Sequence, residues 1–135
     1  MFDNYNATLF NQYRRGNKVF YKRTYLYGID WQCEAGVKSL KTSKTSIDSK
    51  NDIVLFIPYD STDKKYVQPK AYQQLENTDG FYTLQPHDKI IKGIVDIEIN
   101  DSQDYRNLEL KHDDVATVYV ITDCDIMNHF EVECD

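Results

Sequence analysis

The chain has 135 residues, which predicts one domain able to bury a core without disulfides or a metal. Hydrophobic residues make up 41% of the chain and the mean hydropathy is -0.65, so a core with a very polar surface is expected. No apolar run reaches the length of a membrane span, and we expect neither a signal peptide nor membrane association. Three scattered cysteines, Cys33, Cys124 and Cys134, indicate folding in a reducing cytoplasm.

The net charge of -6 is divided unevenly along the chain. Residues 1–70 carry 12 Lys and Arg against 7 Asp and Glu, a net +5, whereas residues 71–135 carry 4 against 15, a net -11. If the two halves lie on different faces, copies could dock basic face to acidic face, and such a contact can close into a ring. If the halves interleave in one sheet, the two fields mix and no such docking follows. Both alternatives are open at this point.

The first half begins with two strands. Residues 7–13 predict a strand that ends in a turn at residues 14–17, and residues 18–27 predict a second strand. Gly28 predicts a turn or bulge before residues 29–33. Both faces of the second strand mix aromatic and charged residues, so one face is expected to meet solvent or a partner. The residues predicted to form a subunit interface are Tyr21, Arg23, Tyr25 and Tyr27.

Residues 34–52 form the least core-like segment, rich in Ser, Thr and Lys. Long loops in compact domains tend to be functional or disordered, so a mobile basic loop is predicted here. The alternative is a solvated, partly disordered loop with no binding role. Its lysines are Lys38, Lys41, Lys44 and Lys50.

Residues 53–59 are the most apolar run and predict a central strand that Pro58 ends. Residues 69–75 predict a brief helix, because proline suits a first helical position. Residues 101–110 predict either a turn of helix capped by Ser102 or a long hairpin loop.

The most informative stretch is residues 81–100. A short aromatic strand at residues 81–84 leads into a proline-centred turn at residues 85–88, with an exposed His87. A long strand over residues 89–99 follows, with a bulge or close backbone approach at Gly93. Beyond Gly93 the polar and apolar residues alternate strictly, which predicts a half-buried strand.

Two strands close the chain, one at residues 115–122 and an edge strand at residues 130–134. Seven or so short strands predict a mainly all-β fold, a small antiparallel barrel or sandwich with at most one or two short helices. We expect a single domain over residues 1–135, with the basic loop at residues 34–52.

No motif predicts catalysis or a cofactor. Cys124, Asp125, His129 and Cys134 lie close in sequence, but zinc sites usually need a tight cysteine or histidine pair, and a buried free cysteine is the ordinary interpretation. The acidic residues lie in turns and on alternating strand faces, and no nucleophile or phosphate-loop motif is present. We therefore expect no metal, no cofactor and no enzymatic activity.

A small barrel could also bind a ligand or single-stranded nucleic acid. Tyr21, Lys22, Arg23, Tyr25 and Tyr27 on one strand would supply a basic surface with stacking aromatics. A pI near 5.0 is unlike that of most nucleic-acid binders. We favour the subunit interface and keep the binding module as the alternative.

The chain resembles a family of small proteins of unknown function from the structural gene blocks of tailed phages and prophages of Gram-positive bacteria. The matching pieces cover most of the chain in order: residues 7–13, 21–31, 54–59, 82–93, 108–115 and 129–132. Two positions depart from the expected pattern, His87 in place of glycine and Phe130 in place of tryptophan.

The layout is also loosely similar to head-closure (stopper) proteins of long-tailed phages, through residues 18–31, 34–52 and 89–120. That resemblance implies a small barrel that forms a ring in the neck of the virion, between the portal–adaptor complex and the tail. It also implies that the lysines of residues 34–52 face the DNA channel. A tail terminator or another minor capsid component is the alternative within phages.

Overall fold

The computed structural model describes residues 4–33 and 53–135, and six strands of this part of the chain close into an antiparallel barrel. Around the barrel the strands follow the order β1-β2-β3-β8-β7-β6, while β4 and β5 pair in parallel as a separate two-stranded sheet. The predicted mainly-β fold is confirmed, in its barrel form. The strands are β1 (Asn4–Arg15), β2 (Lys18–Cys33), β3 (Ile53–Pro58), β4 (Lys65–Tyr66), β5 (Phe81–Tyr82), β6 (Lys89–Lys92), β7 (Val115–Cys124) and β8 (His129–Cys134).

Within the described residues there are three short helices, where at most two were expected: α1 (Pro69–Gln73), α2 (Ser102–Arg106) and α3 (Leu108–Lys111). Asn107 ends α2 and begins α3, so one predicted helical turn becomes two helices. The cap of α2 is Asp101 and not Ser102, since its carboxylate accepts a hydrogen bond from the Asp104 amide at 2.8 Å. None of the helices in this part of the chain is long and apolar enough to cross a membrane.

Strand β2 runs through Gly28 without a turn. The pairing with β1 shifts between Tyr5, opposite Ile29, and Ala7, opposite Leu26, so β2 carries one extra residue there. Gly28 has a φ of 74°, the left-handed conformation that such a bulge requires. Of the turn or bulge predicted at this position, the structure has the bulge. The 16-residue strand therefore continues past Gly28 and pairs with β1 and, near its end, with β3.

Apolar side chains at alternate strand positions fill the barrel, as the two-residue period of a strand requires. The buried set at its centre consists of Ala7, Leu9, Leu26, Ile29, Trp31, Leu55, Ile57, Ile90, Ala116, Val118, Phe130, Val132 and Cys134 from the barrel strands, together with Tyr82 and Leu84. The most apolar predicted strand, residues 53–59, forms β3, which supplies two of them and lies between β2 and β8.

The long strand predicted at residues 89–99 is wrong beyond Lys92. Gly93, with a φ of 99°, ends β6, and residues 94–99 leave the sheet and lie along the outer face of the barrel. The alternation remains, because even-numbered residues are exposed and odd-numbered ones turn inward. They pack on side chains of the barrel wall instead of pairing with strands. We call residues 94–99 the outer segment.

The outer segment and the helices after it cover a second apolar cluster on the outside of the barrel. Its buried members are Phe10, Ile91, Ile99, Tyr105 and Leu108. Phe10 and Ile91 therefore point away from the barrel interior, while their neighbours Leu9 and Ile90 point into it. One stretch of wall thus separates two cores.

Two further strand predictions need correction. The aromatic strand is only Phe81–Tyr82, and it pairs with β4 and not with the strand after the turn. The strand predicted at an edge, residues 130–134, pairs with β3 on one side and β7 on the other. Closure of the barrel explains this second error, because a closed barrel has no edge strand.

The turn before β6 places His87 at a φ of 76°, in the left-handed region. This is the position where the resembling family led us to expect glycine. The backbone is held there by the His87 amide, which donates to the Val118 carbonyl at 2.9 Å, and by the Tyr105 hydroxyl, which donates to the His87 carbonyl at 3.0 Å.

We predict that His87→Gly raises the free energy of unfolding by roughly 0.5 to 1 kcal/mol. Glycine removes the strain of a β-carbon in the left-handed conformation, and this gain exceeds the entropy that the more flexible glycine loses on folding. Urea unfolding at neutral pH measures the change. Asn128→Gly is the matched control, since Asn128 also has a positive φ, 58°, which asparagine tolerates better. A loss of stability in His87→Gly larger than that in Asn128→Gly would contradict this explanation.

Candidate interaction surfaces

Two of the predicted interface tyrosines contact the chain's own residues. The ring of Tyr21 on the outer face of β2 stacks on Tyr105 of α2, with ring centroids 4.6 Å apart. The hydroxyl of Tyr25 donates to the Val95 carbonyl of the outer segment at 3.3 Å. These two tyrosines therefore help to attach the outer segment and α2 to the barrel.

Arg23, between those tyrosines, binds the same segment. Its guanidinium donates to the Ile97 carbonyl and lies 3.6 Å from the Asp96 carboxylate. Tyr27, the fourth predicted residue, is 52% exposed. Three of the four side chains are thus engaged within the chain, and their role in a subunit interface stays a prediction.

Tyr27 lies along a groove that also contains Lys64, and this lysine is half-buried. The Lys64 ammonium donates to the Arg23 carbonyl at 2.9 Å and to the Thr24 hydroxyl at 3.0 Å. Burial lowers the pKa of Lys64. Lys64 therefore braces β2 and is not a freely exposed binding cation.

The extension of β1 and β2 past the rest of the barrel carries only positive charge; we call residues 11–22 the basic hairpin. Its ammonium groups flank an aromatic ring: Lys18 and Lys22 lie 5.6 and 5.5 Å from the centroid of Phe20, which is 39% exposed. Tyr13 on the same hairpin packs edge-on against Tyr72 of α1, at 5.7 Å between centroids. The positive residues are Arg14, Arg15, Lys18 and Lys22.

The connection between β7 and β8 carries the opposite charge; we call residues 121–133 the acidic hairpin. A 3-10 turn at Asp125–Met127, ended by the left-handed Asn128, presents Ile126 and Met127 to solvent, 94% and 68% exposed. No Lys or Arg lies in this hairpin, and its acidic residues are Asp123, Asp125, Glu131 and Glu133.

An apolar groove of about 400 Å³ lies beside the acidic hairpin. Phe56, Pro58 and Met127 supply much of its wall, and the ring of His129 meets Phe56 edge-on at 5.4 Å. Asp30 and Glu131 are the carboxylates that line it. The groove thus combines an apolar surface with negative charge.

The strand pairing places the two hairpins at one end of the barrel and on opposite walls. β1 and β7 both pair antiparallel with β6, so they run in the same direction and their following turns lie at the same end. In the closed order, β3 separates the hairpins on one side and β6 separates them on the other. The two charges are therefore held apart and do not mix in one sheet face.

The other predicted site residues give a mixed result. Lys38, Lys41, Lys44 and Lys50 lie outside the described residues. Of the cysteines near the end of the chain, Cys134 is buried in the barrel and Cys124 is half-buried. Residues 4–33 and 53–135 contain no group of three or more His, Cys, Asp or Glu placed to hold a metal ion.

The carboxyl group with the largest pKa shift is Asp88, whose side chain is fully buried just before β6. One carboxylate oxygen accepts from the Asn11 amide at 2.8 Å, and the other accepts from the Gln12 backbone amide at 3.1 Å. Asn11 also donates to the Thr83 carbonyl at 2.8 Å and accepts from the Thr83 amide at 3.2 Å. We call these four residues the Asp88 cluster.

Burial raises the pKa of Asp88 to about 7, against the lowering effect of its hydrogen bonds. Raised carboxyl pKa values often mark catalytic sites. Here the carboxyl is closed off from solvent, and its partners are the Asn11 side chain and the Gln12 backbone amide, both on the distant strand β1. The arrangement serves the fold, and the expectation of no enzymatic activity stays a prediction.

The chain belongs to a family of unknown function, DUF6751, whose profile matches residues 2–135. Neither the curated proteins nor the solved structures searched contain a match.

The two hairpins were missed by sequence reasoning as sites. Residues 14–17 predict only a turn by backbone preference, yet this turn contains Arg14 and Arg15, is followed by Lys18 and has no acid beside it. At the other hairpin, the apolar pair Ile126 and Met127 between acidic residues was a usable signal. Burial of Asp88 had no signal, since aspartate is ordinary in an exposed turn.

We predict that Asp88 makes stability fall as pH rises. Its pKa of about 7 in the folded chain exceeds the ordinary 3.8, so between these values the folded protein holds a proton that the unfolded chain has lost. The stabilisation is complete below pH 4 and is lost as pH rises through 7, by on the order of 4 kcal/mol in total.

Urea unfolding of the parent and Asp88→Asn across this pH range measures the effect. The parent's stability should decline relative to Asp88→Asn, because the amide cannot ionise. Asp114→Asn, at an exposed carboxyl, is the control and should keep the parent's profile. Parallel profiles for the parent and Asp88→Asn would contradict the assignment.

Proposed function

We propose that this protein is a structural subunit of the phage neck, a head-closure connector that forms a ring between the portal–adaptor complex and the tail. The supporting observation is the separation of charge on a small closed barrel, with a basic hairpin and an acidic hairpin on opposite walls at one end. A subunit built in this way presents unlike surfaces to its two neighbours, as a ring requires. The resemblance to proteins of phage structural gene blocks supplies the phage context.

On this proposal the protein acts by assembly and not by chemistry. The exposed groups near the hairpins, Phe20, Ile126 and Met127, are apolar side chains that a contact with another protein would cover. Its partners would be portal or adaptor proteins, tail proteins and further copies of itself. Its location would be the virion, after synthesis in the cytoplasm of the host.

Contact with packaged DNA belongs to the same proposal. It rests on the sequence alone, on Lys38, Lys41, Lys44 and Lys50, whose ammonium groups would neutralise phosphates without reading sequence. A tail terminator or another minor capsid component would share most of these surfaces, and its position in the particle would separate it from a neck protein.

A second function from another class is supported by the basic hairpin. Phe20 between Lys18 and Lys22 is the pairing of a base-stacking ring with phosphate-binding cations found in single-strand binding proteins. On this alternative the isolated protein binds an oligonucleotide with an affinity that falls steeply with salt. The Phe20→Ala variant would then lose affinity, whereas a neck protein would show tight binding to a portal or adaptor ring and no such affinity.

We expect antibody raised against this chain to label the junction of head and tail when phage particles from the source are viewed by electron microscopy. The physical reason is that a ring subunit of the neck is present in several copies at one place. Particles made by a phage that lacks the gene are the control for antibody specificity, and restoring the gene on a plasmid should restore the label.

Label on the capsid or the tail would reassign the protein to that part of the particle. Absence of the chain from purified particles, checked by mass spectrometry so that buried epitopes do not matter, would refute a virion role. The oligonucleotide experiment then becomes the test of the remaining function.

A further inference from the structure

We infer that the partner of the basic hairpin is the acidic hairpin of a second copy of this chain, with Phe20 seated in the apolar groove beside it. The inference deepens the proposed function and rests on it for the identity of the assembly as a ring. The contact itself follows from the charges, exposures and placement of the two hairpins.

The charges of the two hairpins match in number. Four positive groups lie on residues 11–22 with no acid, and four negative groups lie on residues 121–133 with no Lys or Arg. The ion pairs found among the described residues are Arg23 with Asp96 and Lys89 with Glu109, and neither involves a hairpin. Arg15 donates to the Leu75 carbonyl and Asp123 accepts from the Tyr59 hydroxyl. The charged groups left for a partner are therefore Arg14, Lys18 and Lys22 on one hairpin and Asp125, Glu131 and Glu133 on the other.

The apolar parts of the two surfaces also correspond. Phe20 is 39% exposed between two ammonium groups, a ring in a cationic setting. The groove beside the acidic hairpin has about 400 Å³ between Phe56, Pro58 and Met127, ample room for a phenyl ring, with carboxylates on its lining. An aromatic anchor in a pocket with paired charges around it is the usual composition of an interface centre.

The placement of the hairpins makes the contact heterologous. Because they lie on opposite walls, one copy engages one neighbour through residues 11–22 and another neighbour through residues 121–133. Each contact leaves one basic and one acidic hairpin free, so association continues until a ring closes.

Charge reversal tests the contact in solution, by sedimentation velocity at low salt and high protein concentration. Arg14→Glu with Lys18→Glu and Lys22→Glu makes both hairpins net acidic, and Asp125→Lys with Glu131→Lys and Glu133→Lys makes both net basic. We expect each triple variant to self-associate at least tenfold more weakly than the parent, and an equimolar mixture of the two to recover association, because every contact in the mixture again joins unlike net charges.

Three controls keep the test decisive. Lys70→Glu with Asp113→Lys reverses exposed charges outside both hairpins and should leave association unchanged. Phe20→Ala should weaken association about tenfold even at high salt, because salt does not screen an apolar contact. Leu110→Ala removes an 83% exposed side chain on α3, outside both hairpins, and should leave association unchanged. Circular dichroism and urea unfolding confirm that each variant is folded.

Several outcomes would overturn the inference: no self-association of the parent at the highest attainable concentration, parental association by either folded reversal variant, or no recovery in the mixture. Failure of the proposed function is a separate result. A protein that associates through its hairpins yet is absent from purified particles would keep this contact and lose the neck assignment. If the neck is labelled but charge reversal has no effect on self-association, the neck assignment is kept and the hairpin contact is refuted.

Discussion

The hydrogen bonds that Asn11 makes with Asp88 and Thr83 are the interaction on which the rest of the architecture depends. They join the middle of β1 to the start of β6, and through Thr83 they also hold the crossing segment that arrives from the small β4–β5 sheet. β6 has only four residues, so few backbone bonds could position it alone. Once it is placed, it joins β1 to β7 and closes the barrel.

That arrangement has an energetic cost that the neighbouring apolar packing offsets. A carboxyl in a buried site resists ionisation, which is why its pKa rises even though both oxygens are hydrogen-bonded. The wall formed by β1 and β6 separates two apolar clusters, with Leu9 and Ile90 on the inside and Phe10 and Ile91 on the outside. Both faces of these strands are therefore buried, and a displaced Asp88 would disturb both clusters at once.

The exposed residues of the two hairpins that we assign to assembly are free of these demands. The basic and acidic hairpins extend from strands that the cores already hold, so their exposed residues can be chosen for charge and contact instead of packing. The outer face of β2 is different, because Tyr21, Arg23 and Tyr25 attach the outer segment and α2. Aromatic and charged residues on one strand face can therefore stabilise the chain itself as readily as an interface.

The sequence by itself determined the features that depend on near neighbours in the chain. The strands at Ile53–Pro58 and Val115–Cys124, the turn or bulge expected at Gly28 and the first turn of α1 at Pro69 all follow from local composition and backbone preferences. Only the tertiary structure decided which segments meet. The polar and apolar residues of 94–99 alternate in a way that suits a barrel wall as well as a sheet. Residues 130–134 pair on both sides only because the barrel closes. Asp88 is buried only because Asn11 arrives from a distant strand. The opposite placement of the two charged hairpins has the same origin, since strand order around a closed barrel depends on long-range pairing that local sequence does not encode.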